Sequence, residues 1–569
     1  MLPERVTRLA GQVTREPRPD EADPPRRPWW VWTVPFAVVL AVLLVRNAFL
    51  FSTPEYEDAD MGAYSIEIEQ ARRFALLVGN YSRERFSHPG PAYLYVQSWG
   101  ESLLRAWLHV VPTAWNGQLI ALYALNAVFA ALVMAVGYGW TRSARGAAAA
   151  LAVVLLYGAS HPSVFSSDWM PYVYVPAYFA FVVAIASVAA GGVRDAWIAA
   201  LAGWFLIHGH ACFLFLVPVL SLAALAALLW PPLRSARPFG FGRPRTPQPR
   251  DPPGAPSEPG ARWRWQTWLP AGVISAVFAF PVVLELALHW PGNFGKYFSY
   301  SSSAQSGGHG AAQVADYVLW FWWPHAGAWA APVLLYAVAG SLTWRLSAGP
   351  VRRFCVSLLA FDALSTAAFA VYAAVGIDTL SQYYIGYFYW SAPVIVLLAG
   401  ALAALEALPP RRPGTVQGTR IVPSWAGLAA AAVAAVAACA AFAMAPQTRT
   451  STDHADPANP ASTSSTVDPA LPAGVARMAA LAAGRPIVLR FAHDAWPAMT
   501  GVLVQAQRSG VRACVADPNW KFMVTSQFIC TPEELADGRA FGLYPPGLVP
   551  RGMPVVYQLR RALVTGTGK

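Results

Sequence analysis

Long apolar runs recur from Trp29 to Ala445, separated by shorter polar connections. The first of them, Trp29 to Phe51, carries Arg46 as its only charge. At 1.5 Å of rise per residue a run of this kind crosses a hydrocarbon core of about 30 Å. Applied along the chain, the same criterion predicts about eleven membrane helices. They lie near 29–51, 116–140, 146–161, 172–192, 195–208, 211–230, 267–289, 326–344, 352–375, 388–407 and 421–445. The stretch Ala92 to Val111 breaks the pattern. Glu101, Arg105 and His109 recur at every fourth position, which gives one polar helical face and predicts a helix lying in the membrane interface.

Past residue 445 the periodicity changes. Residues 446–470 form a Ser/Thr/Pro/Asp-rich linker. Pro486–Phe491, Val511–Val515 and Pro554–Leu559 then read as strands, and 495–509 reads as a helix between the first two. This order predicts a small α/β domain over 471–569. Residues 1–28 are a polar Arg/Pro-rich tail with no cleavable signal, and the Pro-rich 231–266 stretch reads as a linker.

Composition supports a polytopic α-helical membrane protein: 56% of residues are hydrophobic, 12% are charged, and the mean hydropathy is +0.38. The net charge of +11 comes almost wholly from arginine. The arginines concentrate in alternate connections, at 141–145, Arg194, 231–266, 345–353 and 411–420. By the positive-inside rule these face the cytoplasm with the N-terminus, so 52–115 and 446–569 face outward. A basic charge used this way encodes orientation and gives no reason to expect a nucleic-acid partner. Cys212, Cys355 and Cys439 lie in apolar runs, whereas Cys514 and Cys530 share the external domain, where an oxidising compartment permits a disulfide.

The candidate chemistry follows the first membrane run. Glu55, Glu57, Asp58 and Asp60 crowd into six positions and repel one another unless a cation, a proton or a helix N-terminus offsets them. They form either a site that takes a proton or binds a metal, or an acidic loop with Asp60 capping the next helix. If 60–78 is helical, Asp60 and Glu67 share a face. Asn80-Tyr-Ser-Arg83 and Ser87-His-Pro-Gly-Pro91 come next. Other outward segments carry Asp168, His208 and His210, Lys296 and Asp378.

An acidic outward loop after the first helix, followed by Tyr-Ser-Arg and His-Pro-Gly-Pro, resembles bacterial members of the GT-C glycosyltransferase superfamily. These are integral-membrane enzymes that use polyprenyl-phosphate sugars. The resemblance covers residues 29–400 in architecture, and in motif only 55–91 and His210. It implies an inverting transferase working at the outer face of a bacterial plasma membrane. The acceptor would be a cell-envelope glycan, lipid or protein, with membrane lipids around the enzyme. The family's catalytic acid lies in this loop, which makes Asp60 the expected base and Asp58 a supporting residue or the ligand of a divalent cation, Mg²⁺ or Mn²⁺. Glu57 and Glu67 are then substrate-binding acids, and Arg83, His88, His210 and Lys296 the groups that hold the donor phosphate. The α/β tail differs from the carbohydrate-binding β-domain of some arabinosyltransferases, which leaves the acceptor open. Two other classes remain: a lipid or small-molecule transporter or flippase, to which Asp362 within the ninth run would belong, and a non-catalytic envelope assembly protein.

Overall fold

The computed structural model describes residues 27–229, 265–304, 308–322, 327–407, 425–444 and 467–566. The tail before residue 27, most of the 231–266 linker, the 411–420 arginines and most of the 446–470 linker lie outside the described residues. Every one of the apolar runs carries a helix: α1 (Trp30–Arg46), α4 (Ala114–Thr141), α5 (Ala144–Ser160), α6 (Met170–Ala189), α7 (Ala196–Gly209), α8 (Phe213–Leu229), α9 (Trp265–His289), α12 (Ala330–Arg345), α13 (Pro350–Val375), α14 (Ser391–Ala407) and α15 (Trp425–Met444). Between them stand α2 (Ala59–Arg72), α3 (Ala92–Gly100), α10 (Gly292–Ala304) and α11 (Ala311–Trp320). By length and apolarity α4, α6, α9, α13 and the segment Tyr383–Ala407 each suffice to cross a membrane; α1, α5 and α8 are shorter apolar helices. The chain is a multi-pass membrane protein.

The helices sort themselves by which faces are apolar. α6 is apolar all round and buried throughout, the signature of a helix at the centre of a bundle. α9 turns Val273, Val277, Phe280 and Val283 outward. An exposed strip of that kind is stable against lipid and a liability in water. Helix ends are set by local capping: the Thr113 hydroxyl accepts from the Asn116 N–H at the start of α4, and Ser143 does the same for α5 after Arg142 adopts φ +50°. α3 and α4 cross closely enough that a Cβ on Gly100 would sit 2.4 Å from the Gly117 carbonyl oxygen.

The stretch after α3 continues as a π-helical segment, Glu101–Trp107. Its exposed surface mixes polar and apolar side chains, and one of the expected polar positions turns inward. Glu101 is buried, accepting from Arg72 and from Gln118, while Trp99, Leu103, Trp107 and Leu108 are exposed. Of the polar positions only Glu101 is used inside the protein; Arg105 and His109 are exposed beside the apolar side chains. α2 ends at Arg72 and does not reach 78, because the chain turns at Phe74 (φ +54°) into a loop that folds back on itself.

Residues 467–566 build the small C-terminal domain. A five-stranded sheet has the order β2-β1-β3-β5-β4, with β1 (Ile487–Phe491), β2 (Ala513–Val515), β3 (Arg539–Tyr544), β4 (Val555–Gln558) and β5 (Leu563–Gly566). β1 is parallel to β2 and β3, and the β3-β5-β4 side is antiparallel. α16 (Leu471–Ala482) and α17 (Trp496–Arg508) cover it. Its core includes Ile487, Leu489, Met499, Val502, Phe541 and Val564, and continues into Ala63 and Ile66 of α2. The other face of α2, through Met61, Tyr64 and Ile68, belongs to the core of the helical bundle.

The expected Cys514–Cys530 disulfide is present and ties β2 to the segment that follows it. Replacing both cysteines by alanine removes a constraint on the unfolded chain, with an expected loss of about 2–4 kcal/mol in the C-terminal domain. Hydrogen exchange of the β1 and β2 amides in the full chain measures it, and unchanged protection would contradict it.

Candidate active site

A cavity of about 870 Å³ opens between α2, the loop that follows it, and the ends of α6, α8, α10 and α13. Among its lining residues are Asp60, Arg83, His88 and His210. α2 starts at Ala59, in the left-handed region at φ +51°, with Asp58 in the N-cap position. Asp60 therefore sits in the first turn and is not the cap. A carboxylate there is favoured by the partial positive charge of the helix N-terminus. Its two oxygens are held by different elements: one accepts from the Tyr81 hydroxyl, the other from the Trp169 indole N–H at 3.0 Å. Burial and the Asp60 charge push the Tyr81 hydroxyl well above the usual phenol range, so it stays a donor.

The loop bearing Tyr81, Arg83 and His88 is held as a unit. The Gly79 N–H donates to the His88 carbonyl at 2.8 Å, His88 N–H to the Asn80 carbonyl at 2.9 Å, and Ser82 N–H to the Phe86 carbonyl at 2.7 Å. α10 pins it from outside, with the Tyr297 hydroxyl donating to the Ser87 carbonyl at 2.6 Å. Gly90 of the His-Pro-Gly-Pro stretch packs flat on His208; a Cβ there would fall 2.4 Å from the imidazole.

His88 and His210 lie against each other with ring centroids 4.5 Å apart and planes tilted by 33°. Nδ1 of His88 accepts from the Ala211 N–H at 3.3 Å, and Nδ1 of His210 from the Cys212 N–H at 3.2 Å. A ring whose Nδ1 accepts carries its proton on Nε2, so both are neutral Nε2–H donors. Burial lowers the His88 pKa well below the usual imidazole value, helped by His210, and burial lowers that of His210 to about 4. Arg83 reaches across the rim to both oxygens of Asp378, at 2.5 and 2.6 Å, and to the Gln382 side chain. Glu84, 3.2 Å from the Arg83 guanidinium, Ser82 and several tyrosines also line the cavity, and the remaining wall is apolar. Phe215, Phe298, Val371 and Val375 line the cavity and are also exposed on the outside of the bundle, so that side opens laterally.

The remaining expected site residues stand elsewhere. Glu57 is fully buried against the C-terminal domain, 2.6 Å from the Arg508 guanidinium, and accepts from Ser65. Asp58 is buried 3.7 Å from Arg561, and its carboxylate oxygens accept no hydrogen bond. Burial raises it to about 7, against the opposing pull of Arg561. A divalent cation at Asp58 would share its surroundings with Arg561 and Arg560, and like charges make that a poor fit. Among the described residues no group of three or more His, Cys, Asp or Glu stands together as a metal site. Glu67 is buried within α2 with one oxygen unpartnered, away from the cavity lining. Lys296 is exposed and donates to the Arg85 carbonyl at 3.3 Å. Asp362 accepts from the Tyr336 hydroxyl at 2.6 Å and also lies off the cavity. Conversely, Trp169 and Tyr384 line the cavity without having been singled out, as do Tyr81 and Asp378, which were noted without a role. Only their place in outward polar segments hinted at them.

No family model matches the sequence, and no curated protein matches it. Among solved structures, ArnT from Cupriavidus metallidurans, crystallised bound to undecaprenyl phosphate, is similar over 95% of this chain and 98% of that one. The TM-score is 0.52 and the identity 14%. The chain shares the fold of that structure. At this identity the likeness extends to architecture and not to activity.

The two histidines give a pH test. Their folded-state pKa values lie below the ordinary value of about 6.5, so the folded chain binds fewer protons than the unfolded one. Their contribution to stability is complete above about pH 6.5 and is lost as the pH falls below it, for His210 toward about 4. Nitrogen-15 NMR of labelled histidine should find both rings neutral at pH 6 with Nδ1 unprotonated. An imidazolium at either position at that pH would contradict the assignment.

Proposed function

We propose that this chain is an inverting glycosyltransferase that moves a sugar from a polyprenyl-phosphate donor to a cell-envelope acceptor at the outer face of the bacterial plasma membrane. The observation that carries this reading is the polarity of one cavity. Its polar end holds a carboxylate, Asp60, together with Arg83, His88 and His210, and its apolar end opens sideways past Phe215, Phe298 and Val375. A donor with a charged phosphate and a hydrocarbon tail needs both ends. The fold shared with ArnT supports the same reading.

In this mechanism the acceptor hydroxyl attacks C1 of the sugar on the face opposite the phosphate. The new C1–O bond forms as the bond from C1 to the phosphate oxygen breaks, and the lipid phosphate leaves with that electron pair. The hydroxyl proton passes to Asp60. Tyr81 and Trp169 fix the carboxylate, so its orientation is set before the acceptor arrives. Arg83 exchanges Asp378 for the phosphate, and the Nε2–H groups of His88 and His210 donate to its oxygens as negative charge builds there.

The arginine asymmetry supports a cytoplasmic N-terminus. The C-terminal domain packs on α2, which puts both on the same side as the cavity mouth. That is the outer side in this reading, and the exposed Trp99, Leu103 and Trp107 suit the lipid surface there.

Asp60→Asn keeps the shape and removes the proton acceptor. Transfer measured against a panel of polyprenyl-phosphate sugars should fall about 10²–10⁴-fold, with undecaprenyl phosphate affinity retained. A fully active variant would remove Asp60 from the mechanism. Arg83→Ala should instead weaken undecaprenyl phosphate binding by about 1–3 kcal/mol, the range for a lost charge-assisted hydrogen bond. Wild-type affinity would place the phosphate elsewhere.

A further inference from the structure

The residues just before Asp60 are held, one after another, by the C-terminal domain. The Tyr56 carbonyl accepts from the Asp468 N–H at 2.8 Å. Glu57 pairs with Val467 as a β-bridge and, through its side chain, with Arg508 at 2.6 Å. Asp58 faces Arg561 at 3.7 Å. The Thr500 hydroxyl stands 2.9 Å from the Ala59 carbonyl oxygen and 2.9 Å from the Pro497 carbonyl oxygen of its own helix, and shares its one proton between them. Asp60 is the first residue of this series to line the cavity.

Two further features make this a tight fit. Ala59 is a non-glycine residue at φ +51°, a conformation that costs energy and persists only where the surroundings impose it. Here the imposing group is α17. A Cβ on Gly62 would fall 2.7 Å from the Thr500 hydroxyl oxygen, and one on Gly501 would fall 3.1 Å from the Glu57 carbonyl oxygen. The two backbones meet at a pair of glycines, one on each side. From Arg508 a buried polar chain also runs inward through Glu57 and Ser65 toward Gln118 on α4 and Glu101. The domain is thus joined to the bundle through the segment that carries the carboxylate.

We propose that the C-terminal domain sets the position of Asp60: Arg508, acting through Glu57, and Thr500, acting through the Ala59 carbonyl, are positioning residues for the transfer step. This rests on the reading of Asp60 as the base. Neither residue lines the cavity, so neither touches the donor.

The test uses the full chain in nanodiscs, with undecaprenyl phosphate as the binding probe and transfer from the best polyprenyl-phosphate sugar of a panel as the rate. Arg508→Ala should lower kcat about 10–100-fold while donor KM and undecaprenyl phosphate Kd stay within about twofold, since misplacing a reacting group costs rate and leaves binding. Arg508→Lys should recover most of the rate. Thr500→Val should lower kcat in the same direction by a smaller factor. Arg512→Ala, in the same domain and bonded to Glu534 at 2.5 Å, should be silent. Wild-type kcat in both Arg508→Ala and Thr500→Val, with Asp60→Asn inactive, would overturn the proposal and leave the function standing. Loss of rate and affinity together, unrescued by lysine, would reduce Arg508 to a structural role and overturn it too. If Arg508→Ala does not fold, Thr500→Val decides alone, and unchanged kcat refutes the proposal. A fully active Asp60→Asn would instead sink the function on which it rests.

Discussion

α2 is shared by two hydrophobic cores, and the rest of the arrangement depends on that. A helix of 14 residues is marginal by itself in water. Burying Met61, Ile66 and Ile68 adds about 1.5–3 kcal/mol apiece, and these side chains point to opposite sides. Met61 and Ile68 enter the helical bundle and Ile66 the C-terminal domain. A helix held on two faces has little freedom to rotate or slide, and its first turn inherits that rigidity. Asp60 stands in that turn, with Tyr81 and Trp169 fixing its oxygens from two further elements.

The same sandwich resolves the crowding of acids. Four carboxylates in six positions cannot all face one cavity without severe repulsion. The fold separates them by direction. Glu57 and Asp58 turn to arginines of the C-terminal domain, and Asp60 turns to the cavity. Three of the four charges that looked like one cluster are a structural pair and a candidate base, and Glu55 lies half-buried ahead of them. Buried ion pairs of this kind add little net stability over apolar packing, but losing one partner is costly. They specify a docking geometry better than they strengthen it.

Much of the fold was legible in the sequence because the bilayer imposes a length that soluble folds do not. Each apolar run carries a helix, and the disulfide followed from finding two cysteines in a domain read as outward-facing. Of the C-terminal strands, β1, β2 and β4 were legible as apolar runs. β3 and β5 were not, because Arg539, Gly542, Thr565 and Gly566 interrupt their patterns. The site was half legible. Asp60, Arg83, His88 and His210 lie in or beside a motif and line one cavity. Glu57 and Asp58 were misread because their partners, Arg508 and Arg561, lie far along the chain, where no local pattern reveals them. Lys296 was singled out for its rarity, and rarity says nothing about direction: its ammonium bonds a loop carbonyl.

The central claim is that one cavity brings a donor phosphate and the Asp60 carboxylate face to face. The most direct measurement is a cryo-electron-microscopy map of the full chain in nanodiscs with undecaprenyl phosphate bound. The account predicts the phosphate against Arg83 and the Nε2 atoms of His88 and His210, the lipid leaving between Phe215, Phe298 and Val375, and Asp60 across the space left for the sugar. A phosphate bound outside this cavity, or at Lys296 on its outer side, would contradict it.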